Sequence, residues 1–279
     1  MISRTAMRRR LRRAAMGLST LAGRPRGLFS PYRHAAGIVR PRGYPELERV
    51  FAAAEPEIAR VLDAIERHGA RLAAFDGPPP APRWSQSWFP RLDGAAAHAL
   101  VHERRPRRIV EVGSGHSTRF LARAAAEAGG AEITCIDPAP RADIAALPVT
   151  LHRRVLCEAD LPRFAALEAG DIAFLDSSHL LWPGSDVDMA LNRVLPALAP
   201  GVLLHLHDIL LPDPYPPDWD WRGYTEQLGL GGWLAGGGTR IVFASHYAVT
   251  RMDAARRPAI AALPLPPGAR ETSLWLERT

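Results

Sequence analysis

Lysine is absent from this chain of 279 residues, and all 35 basic positions are arginine. That excludes a Schiff-base lysine and a lysine whose ammonium burial could convert into a general base. Such a bias is what a GC-rich coding sequence produces. Cysteine is nearly absent, with Cys135 and Cys157 the only two. Two scattered thiols make neither a disulfide framework nor a zinc site, and both read as small buried hydrophobes in strand-like segments. No run of 18 apolar residues occurs, so no transmembrane helix is expected. Acidic residues are missing from positions 1–45, which hold eleven arginines; against a total of +6, the rest of the chain carries −5. The basic character therefore belongs to one arm and not to the folded body.

An acid-free, arginine-rich arm suits a solvated and partly disordered tail, a targeting segment, or a peripheral contact with an anionic membrane or RNA. Its apolar stretch, 14–21, is short and interrupted by Gly17, Ser19 and Thr20. Nucleic acid is the weaker expectation as a partner, and a small molecule the stronger one. Hydrophobic content of 47% with 23% charged residues is ordinary for a cytoplasmic globular protein, and the length suffices for one large α/β domain with a substantial core.

Past the arm, residues 46–75 place Leu47, Val50, Phe51, Ile58, Val61, Leu62 and Ile65 at helical spacing, which predicts one or two helices. The proline run that begins at Asp76 ends that unit as a stiff connection. The chain thus divides into an arm (1–45), a helical extension with its connection (46–83) and a main domain (84–279). Trp84, Trp88, Phe89 and Pro90 open that domain, as a lid over a ligand or as rings capping the core. A helix is predicted at 94–103. Apolar strands then follow at 108–112, 132–136, 149–155, 171–175 and 201–206, with helices between them at 118–128, 161–169 and 187–198. Strand–helix alternation predicts a parallel sheet covered on both faces. Two further strands, 240–245 and 273–278, enclose a proline-rich excursion.

The strand ends carry the chemistry. The first delivers Glu111 and the turn Gly113-Ser114-Gly115-His116-Ser117-Thr118 ahead of a helix, a corner where free N–H groups meet a ligand. The second delivers Asp137 and Pro138, with the acid 22 positions after Gly115, the spacing at which a carboxylate holds ribose hydroxyls. Thr118 stands where a dinucleotide fingerprint would have its third glycine, which counts against NAD. The fourth strand delivers Asp176-Ser177-Ser178-His179, and the fifth His205-Leu206-His207-Asp208. Successive His205 and His207 share one face of a strand, so both line the pocket or one packs beneath it.

This motif set resembles the S-adenosylmethionine-dependent methyltransferases of the Rossmann-like fold, and within them the bacterial group labelled methyltransferase family 24, over about residues 84–279. The resemblance implies a doubly wound α/β sheet of seven strands in the order 3-2-1-4-5-7-6 with the last strand antiparallel. It implies that Glu111, Gly113, Ser114, Gly115, His116, Ser117, Thr118, Asp137, Pro138 and Asp176 form the S-adenosylmethionine site. Glu158 and Asp160 are both candidates for the adenine amine. Relatives that use Mg²⁺ end strands four and five with acids, here Asp176 and Asp208, although His207 replaces a second acid and suits Mg²⁺ poorly. The expected activity is O-methylation of a small or glycosylated metabolite, with His179 as general base, His207 as second choice and Asp208 beside them. Tyr215, Trp219, Trp221, Tyr224, Glu226 and Gln227 are expected to shape the acceptor pocket or an ordered rim. The alternatives are a nucleotide-cofactor oxidoreductase and a non-catalytic binding protein that uses the basic arm.

Overall fold

A computed structural model describes residues 4–28 and 30–279. Positions 1–3 and 29, which belong to the basic arm, lie outside the described residues. The arm contains a helix, α1 (Arg4–Leu21). Three short helices follow: α2 (Pro45–Ala53), α3 (Glu55–Arg67) and α4 (Gly69–Ala73). The predicted one or two helices are three because Pro56 has no N–H to bond Ala52, which stops α2, while its fixed φ suits the start of α3. Phe51, Ile58, Val61, Leu62 and Ile65 are buried, so the predicted apolar face is the one that docks.

The helix α5 (Arg91–Arg104) leads into β1 (Arg108–Val112), α6 (His116–Ala128), β2 (Glu132–Ile136), β3 (Val149–His152), α7 (Leu161–Ala165) and β4 (Ile172–Leu175). Helix α8 (Asp186–Met189) runs through a π-helical stretch, Ala190–Val194, into α9 (Leu195–Ala197). Strand β5 (Leu203–Leu206), helix α10 (Glu226–Ala235), β6 (Thr239–Ala244), α11 (Ser245–Arg251), α12 (Pro258–Ala261) and β7 (Leu274–Arg278) complete the chain. Seven strands form one sheet in the order β3-β2-β1-β4-β5-β7-β6, as expected. β1 to β5 pair in parallel, and β7 lies antiparallel to both β5 and β6. Central strands are mostly apolar and, apart from Arg108 at the start of β1, buried, as a sheet covered on both faces requires; Glu111 and His205 are their buried polar residues. β3, at the edge, is only partly buried.

Some bounds differ from the sequence reading. β3 stops at His152 because Arg154 turns back to pair with Asp160. Cys157 consequently sits in that turn and not on a strand, with Arg154 donating to its Sγ at 2.8 Å. Cys135 lies on β2 and is fully buried. The aromatic cluster divides. Trp84 and Phe89 are core residues, with the Trp84 indole donating to Leu72 O at 2.9 Å, whereas Trp88 is 49% exposed at the cleft.

Two buried acids clamp α5 to the segment before β7. Arg91 Nε and an Nη nitrogen donate to the two Glu271 oxygens at 2.7 and 2.9 Å. Asp93 accepts from the backbone N–H groups of Thr272 (3.0 Å) and Ser273 (2.9 Å). This fixes the β7 approach against the carboxyl end of β5, where the strand-end histidines emerge.

Candidate active site

Strand order reverses on either side of β1, between β2 and β4, and a crevice for a ligand opens at such a point beyond the carboxyl ends of the strands. The corner after β1 is built from the inside. Glu111 is fully buried beneath the turn and accepts hydrogen bonds from Ser117 Oγ (2.6 Å) and Thr118 Oγ1 (2.7 Å). Burial pushes its carboxyl up to about 7 despite those donors. Glu111 therefore holds the start of α6 and does not face the cleft. Thr118 Oγ1 also accepts from the Gly115 N–H at 2.8 Å, which is what a threonine does where a third glycine would leave nothing.

Asp137 ends β2 and binds the turn: Ser114 N donates to it at 2.6 Å, Ser114 Oγ at 3.0 Å and Ala139 N at 2.7 Å. A carboxylate has room for further donors. The segment 139–142 closes over Gly115, and the Arg141 guanidinium stacks 4.3 Å from the Trp88 ring centroid. Of the adenine candidates, Glu158 is exposed and pairs with Arg193 at 3.1 Å, while the Asp160 carboxylate is buried and held by Arg154 and the Cys157 N–H.

One cleft collects Ser114, His116, Ser117, Asp176, His179, His207 and Asp208 with Trp88, Phe89, Trp219 and Tyr224, all selected from the sequence, and adds Arg141, Arg222 and Arg270. Gly113, Gly115, Thr118, Asp137 and Pro138 are not on its wall; they form the turn and strand end behind it. His116 sits at the α6 N-terminus, where burial and then Arg119 and Arg83 lower it to about 4, so it is neutral near pH 7.

His179 is the centre. Its Nδ1 lies 2.8 Å from Glu226 Oε2 on α10. Its Nε2 lies 3.3 Å from Asp176 Oδ1 and 3.5 Å from Asp208 Oδ2. Burial alone would lower its pKa, but Asp176, Glu226 and Asp208 outweigh burial and raise it well above the usual histidine value. Burial in turn raises Glu226, which His179 only partly offsets. His179 and Asp208 both adopt positive φ, 59° and 55°, at the ends of their loops. Non-glycine residues hold that conformation where surrounding contacts impose it.

His207 Nε2 lies 3.2 Å from Asp93 Oδ2, and its Nδ1 is 3.5 Å from Asp176 Oδ1. Burial lowers it, and Asp176 and Asp93 reverse that and raise it well above the ordinary range. Asp176 is held well below the usual carboxylate range: burial would raise it, but His207 and His179 prevail. His205 has the opposite character. It stacks on Phe174 with centroids 3.7 Å apart, bonds Ser273 Oγ at 2.9 Å, and is driven well below the usual value by burial. It packs beneath the pocket as a neutral ring.

The donor set does not suit Mg²⁺. Both acids already face imidazole nitrogens across the space that a bridging cation would take, and Mg²⁺ prefers an octahedron of oxygens. Among the described residues no group of three or more His, Cys, Asp or Glu is arranged to hold a metal ion. Sequence reasoning placed Glu226 in the pocket rim but missed its role on His179, and it missed Asp93, Arg222, Arg270 and Thr272, whose Oγ1 donates to Asp208 at 3.2 Å. Glu226 is 47 positions from His179 and Asp93 is 114 from His207, so no local spacing announces either pair.

A sheet in this order, with a glycine corner after β1 and acids and histidines beyond β4 and β5, is the Rossmann-like arrangement that the sequence resemblance implies. Residues 110–209 match the profile of the family described as "Methyltransferase domain". Solved structures similar to this chain include the O-methyltransferase TomG of Streptomyces achromogenes, involved in tomaymycin synthesis and crystallised with S-adenosylmethionine. It is 23% identical over 64% of this chain and 80% of its own, with a TM-score of 0.39. An O-methyltransferase of Bacillus cereus, solved with S-adenosylhomocysteine, is 16% identical over 71% of this chain and 90% of its own, with a TM-score of 0.37. No protein of curated function matches.

Proposed function

We propose that this protein transfers the methyl group of S-adenosylmethionine to an oxygen of a small or glycosylated metabolite, in the cytoplasm, without a metal ion. The observation that carries the oxygen assignment is His179, whose Nε2 faces the cleft while Glu226 holds Nδ1. A base oriented by a buried carboxylate is what proton removal from a hydroxyl needs. The matched methyltransferase domain, the strand order and the turn at 113–118 with Asp137 support the choice of cofactor. Bound at that corner, S-adenosylmethionine supplies an electrophilic methyl group.

The side chains of this protein do the rest. His179 would accept the hydroxyl proton at Nε2, which leaves an oxygen lone pair of the acceptor free for the methyl group that the bound cofactor would supply. Asp176 and Asp208 stabilise the imidazolium that results. His207, held between Asp93 and Asp176, keeps Asp176 ionised and in place. Trp88, Phe89, Trp219 and Tyr224 exclude water and align the acceptor, and alignment supplies much of the rate gain.

Calorimetric titration with S-adenosylmethionine, followed by an acceptor screen that reads S-adenosylhomocysteine, tests this. Saturable cofactor binding and turnover on hydroxylated acceptors are expected. His179→Ala should lower turnover by about a hundredfold or more, on the scale of a lost general base, with cofactor affinity unchanged. Absence of cofactor binding at millimolar concentration defeats the proposal, and a fully active His179→Ala removes the base assignment.

A further inference from the structure

Helix α1 carries an apolar stripe that faces away from the body of the protein. Met7, Leu11, Ala14, Leu18 and Leu21 recur at spacings of three and four and so share one face. Met7, Leu11, Leu18 and Leu21 are 45%, 64%, 68% and 69% exposed. The opposite face is the one that touches the protein. The Arg9 guanidinium lies 4.0 Å from the Trp221 ring centroid, and Arg13 donates to Asp220 O at 3.3 Å. Helical spacing sets Arg4 and Arg8 along one border of the apolar stripe, with Arg12 farther round toward the docked face, and Arg10 along the other border. The usual amphipathic arrangement, apolar inward and charged outward, is thus inverted.

We infer that α1 is an interfacial helix that docks on an anionic lipid bilayer. An apolar stripe bordered by arginine is the pattern of helices that lie in a membrane interface, with leucines among the acyl chains and guanidinium groups at lipid phosphates. Charge complementarity selects this occupant, because positions 1–45 contain no acid. A second copy of the chain would bring like charge against like charge. RNA would use the arginines but leave the leucine stripe in water. Exposed Leu28, Tyr32, Ile38 and Val39, interspersed with Arg24, Arg26, Arg33, Arg40 and Arg42, continue the same mixture along the chain. No helix among the described residues is long and apolar enough to cross a membrane, so the contact is peripheral. Asp220 and Trp221 belong to the loop that presents Trp219, Arg222 and Tyr224 to the cleft. A lipid-bound α1 therefore seats the cleft rim beside the bilayer.

Co-sedimentation of the full chain with vesicles tests this, using phosphatidylcholine alone and phosphatidylcholine mixed with phosphatidylglycerol. Binding to the mixed vesicles is expected, with little to the neutral ones. Leu11→Ser/Leu18→Ser should weaken it by about tenfold or more through lost apolar insertion. Arg8→Gln/Arg12→Gln should weaken it by about fivefold per arginine. All four side chains are exposed, so both variants should melt with the wild type. Failure to bind mixed vesicles overturns the inference. So does wild-type affinity in the leucine variant. Binding to poly(U) without vesicle binding reassigns the arm to nucleic acid, and a dimer that the leucine variant abolishes, again without vesicle binding, reassigns it to self-association.

Discussion

Gly113→Ala tests whether the corner after β1 is built by backbone approach. Gly113 has φ +77°, and a Cβ placed there would lie 1.7 Å from Asp176 O and 2.7 Å from Asp176 C. That contact is with the main chain, so no side-chain rotation relieves it. An alanine at positive φ costs ~1–2 kcal/mol, and overpacking a closed site adds ~1–3 kcal/mol. Lower entropy of the unfolded alanine chain offsets about 0.4–1 kcal/mol. A net loss of about 1–4.5 kcal/mol remains, which in a domain of this size lowers the melting temperature by roughly 2–18 °C. Function should suffer more than stability. The displaced carbonyl belongs to Asp176, and His179 is three residues on, so a shift of about an ångström should reduce turnover by about a hundredfold. Gly232 in α10 is the control: a Cβ there meets nothing within 4 Å. Gly232→Ala should stabilise by ~0.5–1 kcal/mol. Thermal melts, cofactor titration and S-adenosylhomocysteine release give the readout. A Gly113→Ala protein that melts with the wild type and turns over normally refutes the close-approach argument.

Glu226→Gln should move the acidic limb of the kcat/KM profile to lower pH. His179 must be neutral to accept a proton, its raised pKa places that limb above pH 6.5, and losing the Glu226 charge removes part of what stabilises the imidazolium; a limb that stays in place removes Glu226 from the base. Glu271→Ala should cost ~3–5 kcal/mol in denaturant titration by leaving Arg91 buried without its partner. The double variant Arg91→Met/Glu271→Leu should lose less than that single change, and a larger loss contradicts the desolvation argument. Trp84→Ala should cost ~3–5 kcal/mol as a core truncation, whereas Trp88→Ala should leave the melting temperature nearly unchanged and raise KM; the reverse pattern would reassign core and rim. EDTA-treated enzyme should keep its full rate, and a loss restored by Mg²⁺ would return Asp176 and Asp208 to metal binding.

The parts of this molecule legible in the sequence are those where one residue acts on its own neighbourhood. Short, mostly apolar segments with glycine or acid just beyond their ends mark β1 and β2 to the residue, since burial on both faces leaves no other periodicity to read. Where a bound depends on a distant partner, local pattern overshoots: β3 looks as though it should reach residue 155, and an ion pair to Asp160 stops it at His152. The same division runs through the site. Asp176, His179, His207 and Asp208 announce themselves as strand-end polar groups. The protonation of the two histidines does not, because Glu226 from α10 and Asp93 from α5 act on it beside Asp176, each reaching the site through the fold. His205 shows the limit most directly. It is two residues from His207 on the same face, within 6.0 Å ring to ring, and is chemically its opposite. Phe174, Trp275 and Ser273 surround it, while carboxylates surround His207. Composition and spacing can say that a histidine faces inward; only packing decides whether it meets a ring or a charge, and that decides whether it titrates.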